Sequence, residues 1–206
     1  MATIVYLIRH GETEWNKLGR FQGSTDIVLS EDGVKQAYLA AEVLKGKFDY
    51  IYASPLSRAK HTADIIGEAG HITAQIEPDI SEINFGLWEG LTYEEIKEQY
   101  PKELASWINP LEGYLMSDDL SIKNVGKRAG SAIRRLVKDH SGERIVLVAH
   151  GGILKAGIID LFDWNLNMYH KIFLGNTSIT KLIFKKNDSP ILAALNNTSH
   201  LPEESL

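Results

Sequence analysis

The chain has 206 residues, 44% apolar and 24% charged, with a formal net charge of −5 at neutral pH. That balance supports a sizeable core and argues against a nucleic-acid partner, which would need a basic stripe. Cysteine is absent, so thiol catalysis, disulfides and cysteine-based zinc sites are excluded.

The first element is the apolar run from Ile4 to Ile8, which ends abruptly in Arg9-His10-Gly11. β-Branched and aromatic residues bounded by glycine predict a buried strand. No basic-then-apolar leader precedes it, and no apolar stretch nears the roughly 18 residues of a membrane span, so a reduced, cytoplasmic location without membrane association is expected. Residues 17–27 read as a loop. Ser30 is predicted to cap a helix whose Val34, Ala37, Ala41 and Leu44 share one face, with Gly46 closing it. Phe48 to Ala53 reads as the second strand. Ser54-Pro55 then reads as an N-cap followed by the first helical position, which sets Arg58 in the first turn. A short third strand is expected over residues 72–76.

Residues 80–90 lack a period and read as an ordered loop. Thr92 to Trp107 is helical in pattern, interrupted at Pro101, and residues 109–121 are loop-like. The segment from about 85 to 124 is expected to form a lid, with Tyr114 and Met116 as candidates for a specificity wall. Val125, Ala129, Ile133, Leu136 and Val137 mark a long amphipathic helix. Arg144 to Ala149 repeats the opening pattern and ends in His150-Gly151-Gly152, followed by a helix apolar nearly all round that should be buried. Residues 177–184 and 191–195 predict a hairpin turned at Asn187-Asp188. The alternation predicts an α/β fold of three layers, a mostly parallel mixed sheet with helices on both faces and an antiparallel edge. A single domain is expected over residues 1–206.

The two strand ends carry the chemistry. Ligands in open α/β sheets bind beyond the carboxyl ends of strands, and both His10 and His150 stand there, each followed by glycine. Gly151 allows backbone to approach a ligand closely. Arg9 and Arg58 at the same edge would present forked donors to phosphate oxygens, and nearby helix N-termini favour anions. A neutral imidazole in that nest could attack phosphorus. The leaving alkoxide needs a proton, from Glu82 or Glu89; a bound dianion would favour the protonated carboxyl and the arginines would oppose it. Two histidines and a carboxylate could instead hold a metal for a metal-dependent hydrolase, although two guanidiniums would repel that cation. Trp15, Phe21, Phe85 and Trp88 read either as core cover or as substrate contacts. His61, His71, His140 and His170 read as structural or solvated, with His140 suited to a helix-end dipole contact, and His200 is a candidate for the pocket rim.

Residues 7–13, Leu-Ile-Arg-His-Gly-Glu-Thr, resemble the signature of the histidine phosphatase superfamily, the phosphoglycerate-mutase-like proteins. Residues 29–33, 54–59, 82–90 and 148–152 are similar to its later blocks, in order. The resemblance implies a phosphoglycerate-mutase-like fold. It implies His10 as the phosphorylated nucleophile, Arg9, Arg58 and His150 as phosphoryl-binding groups, and Glu82 as proton donor. It also implies a phosphate contact at Asn16, a loop bordering the site at Gln22 and Gly23, and no metal or other cofactor. Cofactor-dependent mutases carry a basic segment with paired arginines after the glutamate block. Here residues 92–120 hold Lys97 and Lys102 but no arginine, and residues 112–118 lack the Gly-Glu-Ser element of many phosphatase members. The length and tail resemble the small broad-specificity phosphatases, with α-ribazole-phosphate and phosphoserine phosphatases similar too. The expected activity is metal-independent hydrolysis of a small phosphomonoester through phosphohistidine. A phosphoglycerate mutase and a non-catalytic phospho-ligand binding module are the alternatives. The expected partners are a small phosphorylated substrate and inorganic phosphate as product, with no nucleic acid and no membrane, and homodimerisation left open.

Overall fold

Alternating apolar side chains put β1 (Thr3–Arg9) and β4 (Arg144–Ala149) at the middle of the sheet. Val5 and Leu7 of β1 face the same core as Ile145, Leu147 and Ala149 of β4. Ile8 faces the opposite core with Val146 and Val148. Burial on both faces is the signature of a parallel sheet sandwiched between helices. The computed structural model describes residues 1–109, 121–185 and 190–202.

Between β1 and β4 come α1 (Glu14–Lys17), α2 (Glu31–Leu44), β2 (Tyr50–Ala53), α3 (Ser57–Gly70), β3 (Gln75–Ile76), α4 (Tyr93–Gln99), α5 (Pro101–Ile108) and α6 (Ile122–Asp139). After β4 come α7 (Gly151–Leu161), β5 (Ile179–Phe184) and β6 (Pro190–Asn197). Short 3-10 turns lie at Pro78–Ile80, Gly86–Trp88 and Leu166–Lys171. Among the described residues six strands form one sheet in the order β3-β2-β4-β1-β5-β6. The first four run parallel, and β5 and β6 add the antiparallel edge. Helices α2 and α3 cover one face, and α4 to α7 contribute to the core on the other. The expected three-layer α/β fold is therefore present, with a mixed, mostly parallel sheet. Among the described residues no helix is long and apolar enough to cross a membrane.

Most predicted boundaries agree with local physics. The Ser30 hydroxyl accepts from the Gly33 N–H at 3.1 Å and caps α2. Pro101, which cannot donate a backbone N–H, separates α4 from α5 at Tyr100. Helix α7 is buried along Ile153, Leu154, Ala156, Gly157, Ile158, Ile159 and Leu161. One expectation fails: Ser54 is not an N-cap. Leu56 is the N-cap residue, with extended backbone and no capping side chain, so Pro55 precedes α3. The Ser54 hydroxyl is instead committed to His150. The third strand is also shorter than expected, only Gln75–Ile76. The proposed turn at Asn187-Asp188, the candidates Tyr114 and Met116, and residues 110–120 of the expected lid lie outside the described residues.

Candidate active site

Strand register builds the site. Arg9 is paired with Ala149 across the parallel β1–β4 ladder, so the next residues, His10 and His150, emerge side by side. The His10 N–H extends the ladder to the Ala149 carbonyl at 2.9 Å, and the Ser54 N–H does the same to Val148 at 3.0 Å. Three neighbouring strand ends thus deliver His10, His150 and Ser54 to one edge. The two imidazole centroids lie 5.1 Å apart with the rings tilted by 59°.

Both imidazoles are buried and both are held well below the ordinary histidine pKa. Burial is the largest cause for each, and the cations Arg58 and Arg9 add to it. Nδ1 of His10 stands 2.6 Å from the Gly11 carbonyl. A carbonyl only accepts, so Nδ1 carries the proton and Nε2 keeps its lone pair. Nε2 of His150 meets the Ser54 hydroxyl at 2.7 Å, while its buried Nδ1 has no partner among the described residues.

The guanidiniums are braced by backbone carbonyls. Arg58 is 1% exposed and donates to Gly23 O at 2.7 Å and Thr25 O at 2.9 Å. Arg9 donates to Leu174 O at 2.7 Å. In each case the buried Nε–H has no partner among the described residues. Burial is the first cause drawing both groups below the usual arginine value, with Glu82 opposing it. Two desolvated cations with no directly bonded carboxylate among the described residues are expensive to keep, and an anion between them would relieve that cost. Gly23 has φ +55°, a left-handed conformation that favours glycine, and this loop offers the carbonyl to Arg58. The buried Gln22 also has an Oε1 without a partner among the described residues.

The two glutamates separate clearly. Glu89 is a brace: its oxygens take the N–H and hydroxyl groups of Ser24 and Thr25 and the Phe85 N–H. Burial pushes its carboxyl upward, and the sum of those bonds draws it below the usual value. Glu82 lines the cavity at the N-terminus of α7, where its oxygens accept from Gly152 N at 2.9 Å, Ile153 N at 2.8 Å and Ile83 N at 3.0 Å. A Cβ on Gly152 would fall 2.7 Å from Glu82 Oε1, so a larger residue there would push the carboxylate from its place.

These groups open into a cavity of about 340 Å³. Arg9, His10, Asn16, Gln22, Gly23, Arg58, Glu82 and Gly151 all line it, and His150 sits fully buried behind His10. Asn16 has a structural duty as well, since its Oδ1 accepts from the Thr13 N–H at 3.1 Å and from Asn176 at 3.2 Å. Phe21 and Phe85 reach the cavity; Trp88 is core, and Trp15 packs beside Gly90. His200 does not line the cavity, and its ring lies 3.4 Å from the Thr177 hydroxyl. His140 caps α6 as expected of a helix-end residue, and it also stacks on Tyr50 and bonds to Tyr52. Among the described residues no group of three or more His, Cys, Asp or Glu side chains is placed to hold a metal ion.

Sequence reasoning missed Lys155, Trp107 and Tyr169, which complete the far wall, and the role of Ser54. Lys155 had a signal: a lone cation amid the apolar positions of a helix predicted to be buried. Tyr169 and Trp107 had none, because their convergence is purely tertiary.

Comparison with known proteins places the chain among relatives. The profile of the Histidine phosphatase superfamily (branch 1) matches residues 5–198. Phosphoserine phosphatase 1 of Hydrogenobacter thermophilus is 34% identical over 198 residues, covering 96% of this chain and 93% of that protein. A probable phosphoglycerate mutase of Yersinia pestis is 32% identical, covering 98% of this chain and 96% of that protein. A phosphoserine phosphatase mutant of Entamoeba histolytica, crystallised with phosphoserine, superposes with a TM-score of 0.90 at 40% identity, covering 97% of this chain and 100% of that one. With a profile match over nearly its whole length and relatives above 30% identity, the chain belongs to the histidine phosphatase superfamily.

Proposed function

We propose that this chain is a phosphomonoesterase acting on small phosphorylated metabolites through a phosphohistidine at His10. The observation that carries the reading is the buried His10, held toward its neutral form, whose Nε2 and the Nε–H groups of the two flanking guanidiniums have no partner among the described residues. In the first step Nε2 attacks phosphorus in line, a P–N bond forms, and the ester P–O bond breaks with its electron pair passing to the alkoxide. Protonated Glu82 gives that oxygen its proton. In the second step water attacks phosphorus, Glu82 takes a proton from the water, and the P–N bond breaks to release phosphate and restore neutral His10. Arg9, Arg58 and His150 Nδ1–H hold the equatorial oxygens, the charge stabilisation on which phosphoryl transfer chiefly depends. For His150 to donate through Nδ1, the Ser54 hydroxyl must donate to its Nε2, a direction that the 2.7 Å contact permits.

The mutase reading is supported by one of the relatives. Against it, Lys97 and Lys102 are exposed and neither lines the cavity. His10→Ala should abolish turnover over a broad phosphomonoester panel while leaving the fold intact; an active alanine variant would refute the assignment. A wild-type phosphoenzyme that persists in water but transfers to phosphoglycerate would favour the mutase.

A further inference from the structure

The proposed proton donor is held from two sides. The Glu82 carboxylate is tied to the first turn of α7, where Oε2 accepts from Gly152 N and Oε1 from Ile153 N and Ile83 N. Its backbone leaves the 3-10 turn Pro78–Ile80 through Ser81, and that turn is tied to α6. The guanidinium of Arg128 forks across the turn: Nη1 donates to the Asp79 carbonyl at 2.9 Å and Nη2 to the Ser81 carbonyl at 2.8 Å. The Ser81 carbonyl belongs to the planar peptide group that joins Ser81 to Glu82, so the second bond fixes the plane from which Glu82 starts.

A second arginine on α6 makes a different contact. Arg135, two turns further on, meets the carboxylates of Glu77 at 2.6 Å and Asp79 at 3.2 Å. It holds the same turn through side chains and does not bond to residues 81–82 among the described residues. The two supports of Glu82 also share a base. A Cβ on Gly126 would fall 2.8 Å from the Ala156 carbonyl oxygen, and one on Gly157 would fall 2.9 Å from the Ala129 Cβ, so α6 and α7 are in direct contact. Ile80 and Ile83, buried on either side of the Ser81-Glu82 peptide, belong to the same core as Val125, Ala129 and Ile133 of α6. The backbone and the carboxylate of Glu82 are therefore both anchored on one closely packed pair of helices.

We propose that Arg128 is a positioning residue for the proton donor: its bond to the Ser81 carbonyl holds Glu82 Oε2 within reach of the leaving-group oxygen. The proposal rests on the reading of Glu82 as general acid. Among the described residues Oε1 takes two N–H groups and Oε2 one, so Oε2 has the lone pair left for the proton. Arg128 sets the distance over which that proton moves, and a misplacement of about 1 Å can cost a factor near 100. Arg128 also acts at longer range: after burial, Arg58, His10 and Arg9, its charge is the last cause drawing the His150 pKa down. That effect falls on the phosphoryl group, which all the esters share. It cancels in a ratio of alkyl to aryl rates, whereas a misplaced acid does not.

The test measures kcat/KM for glycerol 2-phosphate and p-nitrophenyl phosphate. Arg128→Met should lower the alkyl-to-aryl ratio by about 10-fold, part of the roughly 100-fold worth of the acid itself, and through kcat more than KM. Arg128→Lys, able to reach one carbonyl, should shift the ratio less in the same direction, and it replaces the methionine variant if that one does not fold. Arg135→Met should keep the wild-type ratio even if its Tm falls. In a Glu82→Gln background, with no acid to place, Arg128→Met should not move the ratio further. Equal losses on both esters in Arg128→Met, or an equal shift in Arg135→Met, overturn the positioning role and leave the phosphatase reading standing. A wild-type ratio in Glu82→Gln would instead remove the acid, and the proposal with it.

Discussion

The two ends of the cavity are built differently. At the phosphate end, His10 and His150 extend from adjacent parallel strands in fixed register, and Arg58 is clamped by the carbonyls of Gly23 and Thr25. At the far end, Lys155 comes from α7, Tyr169 from a 3-10 turn and Trp107 from the last turns of α5, which ends just before residues outside the described set. The first end is set by backbone hydrogen bonds, and the second by side-chain packing among separate elements. On the proposed reading, reaction type would reside in the strand ends, which are fixed by register, and the far wall would be the part free to vary without moving a strand.

The largest way to break that contrast is at Arg58. Arg58→Met should lower kcat/KM for every ester by about 100- to 1000-fold, the range for loss of a preorganised charge donor. Arg58 is also the largest cause after burial of the depressed His10 pKa. Removing it should let that value rise, so more His10 is protonated at a given acidic pH and the acid limb of kcat/KM moves upward. Arg58→Lys should retain the limb, since the charge remains, while still losing rate because an ammonium lacks the fork. A limb unchanged in Arg58→Met would separate the cation from the nucleophile.

Glu82 gives an intermediate effect and sharpens the contrast between esters. Glu82→Gln should slow alkyl phosphates by about 100-fold or more, the usual worth of general acid catalysis. Aryl phosphates, with better leaving groups, should lose less. Equal losses would remove Glu82 from the acid role and leave it as the cap on α7. The shift in ester preference at Arg128 is the smallest of the expected effects and is confined to alkyl phosphates.

Legibility in the sequence followed the same division. The strand runs ending in Arg9-His10-Gly11 and His150-Gly151-Gly152 are local patterns, and their parallel pairing was implied by the strand–helix alternation. Arg58 was legible from its place just after the second strand, although the helix begins at Ser57 and not at Pro55. That error is instructive: Ser54 has the chemistry of an N-cap, but among the described residues its oxygen accepts only the Leu56 N–H, at 3.4 Å, while its hydroxyl meets the imidazole of His150. Glu82 and Glu89 share one loop, and only the bonds from Ser24 and Thr25 identify Glu89 as the structural member. The far wall was illegible because its residues, Trp107, Lys155 and Tyr169, are brought together by packing across the core face of α7 and leave no period or spacing to read.

The central claim is that His10 Nε2 is the atom that receives the phosphoryl group. Rapid quenching during turnover of a phosphorus-labelled ester, followed by peptide mapping under alkaline conditions, tests it directly. The account predicts an acid-labile phosphoramidate on His10, bonded through Nε2 and absent from the His10→Ala variant. Label on any other residue, or turnover with direct transfer to water and no phosphoenzyme, would contradict it.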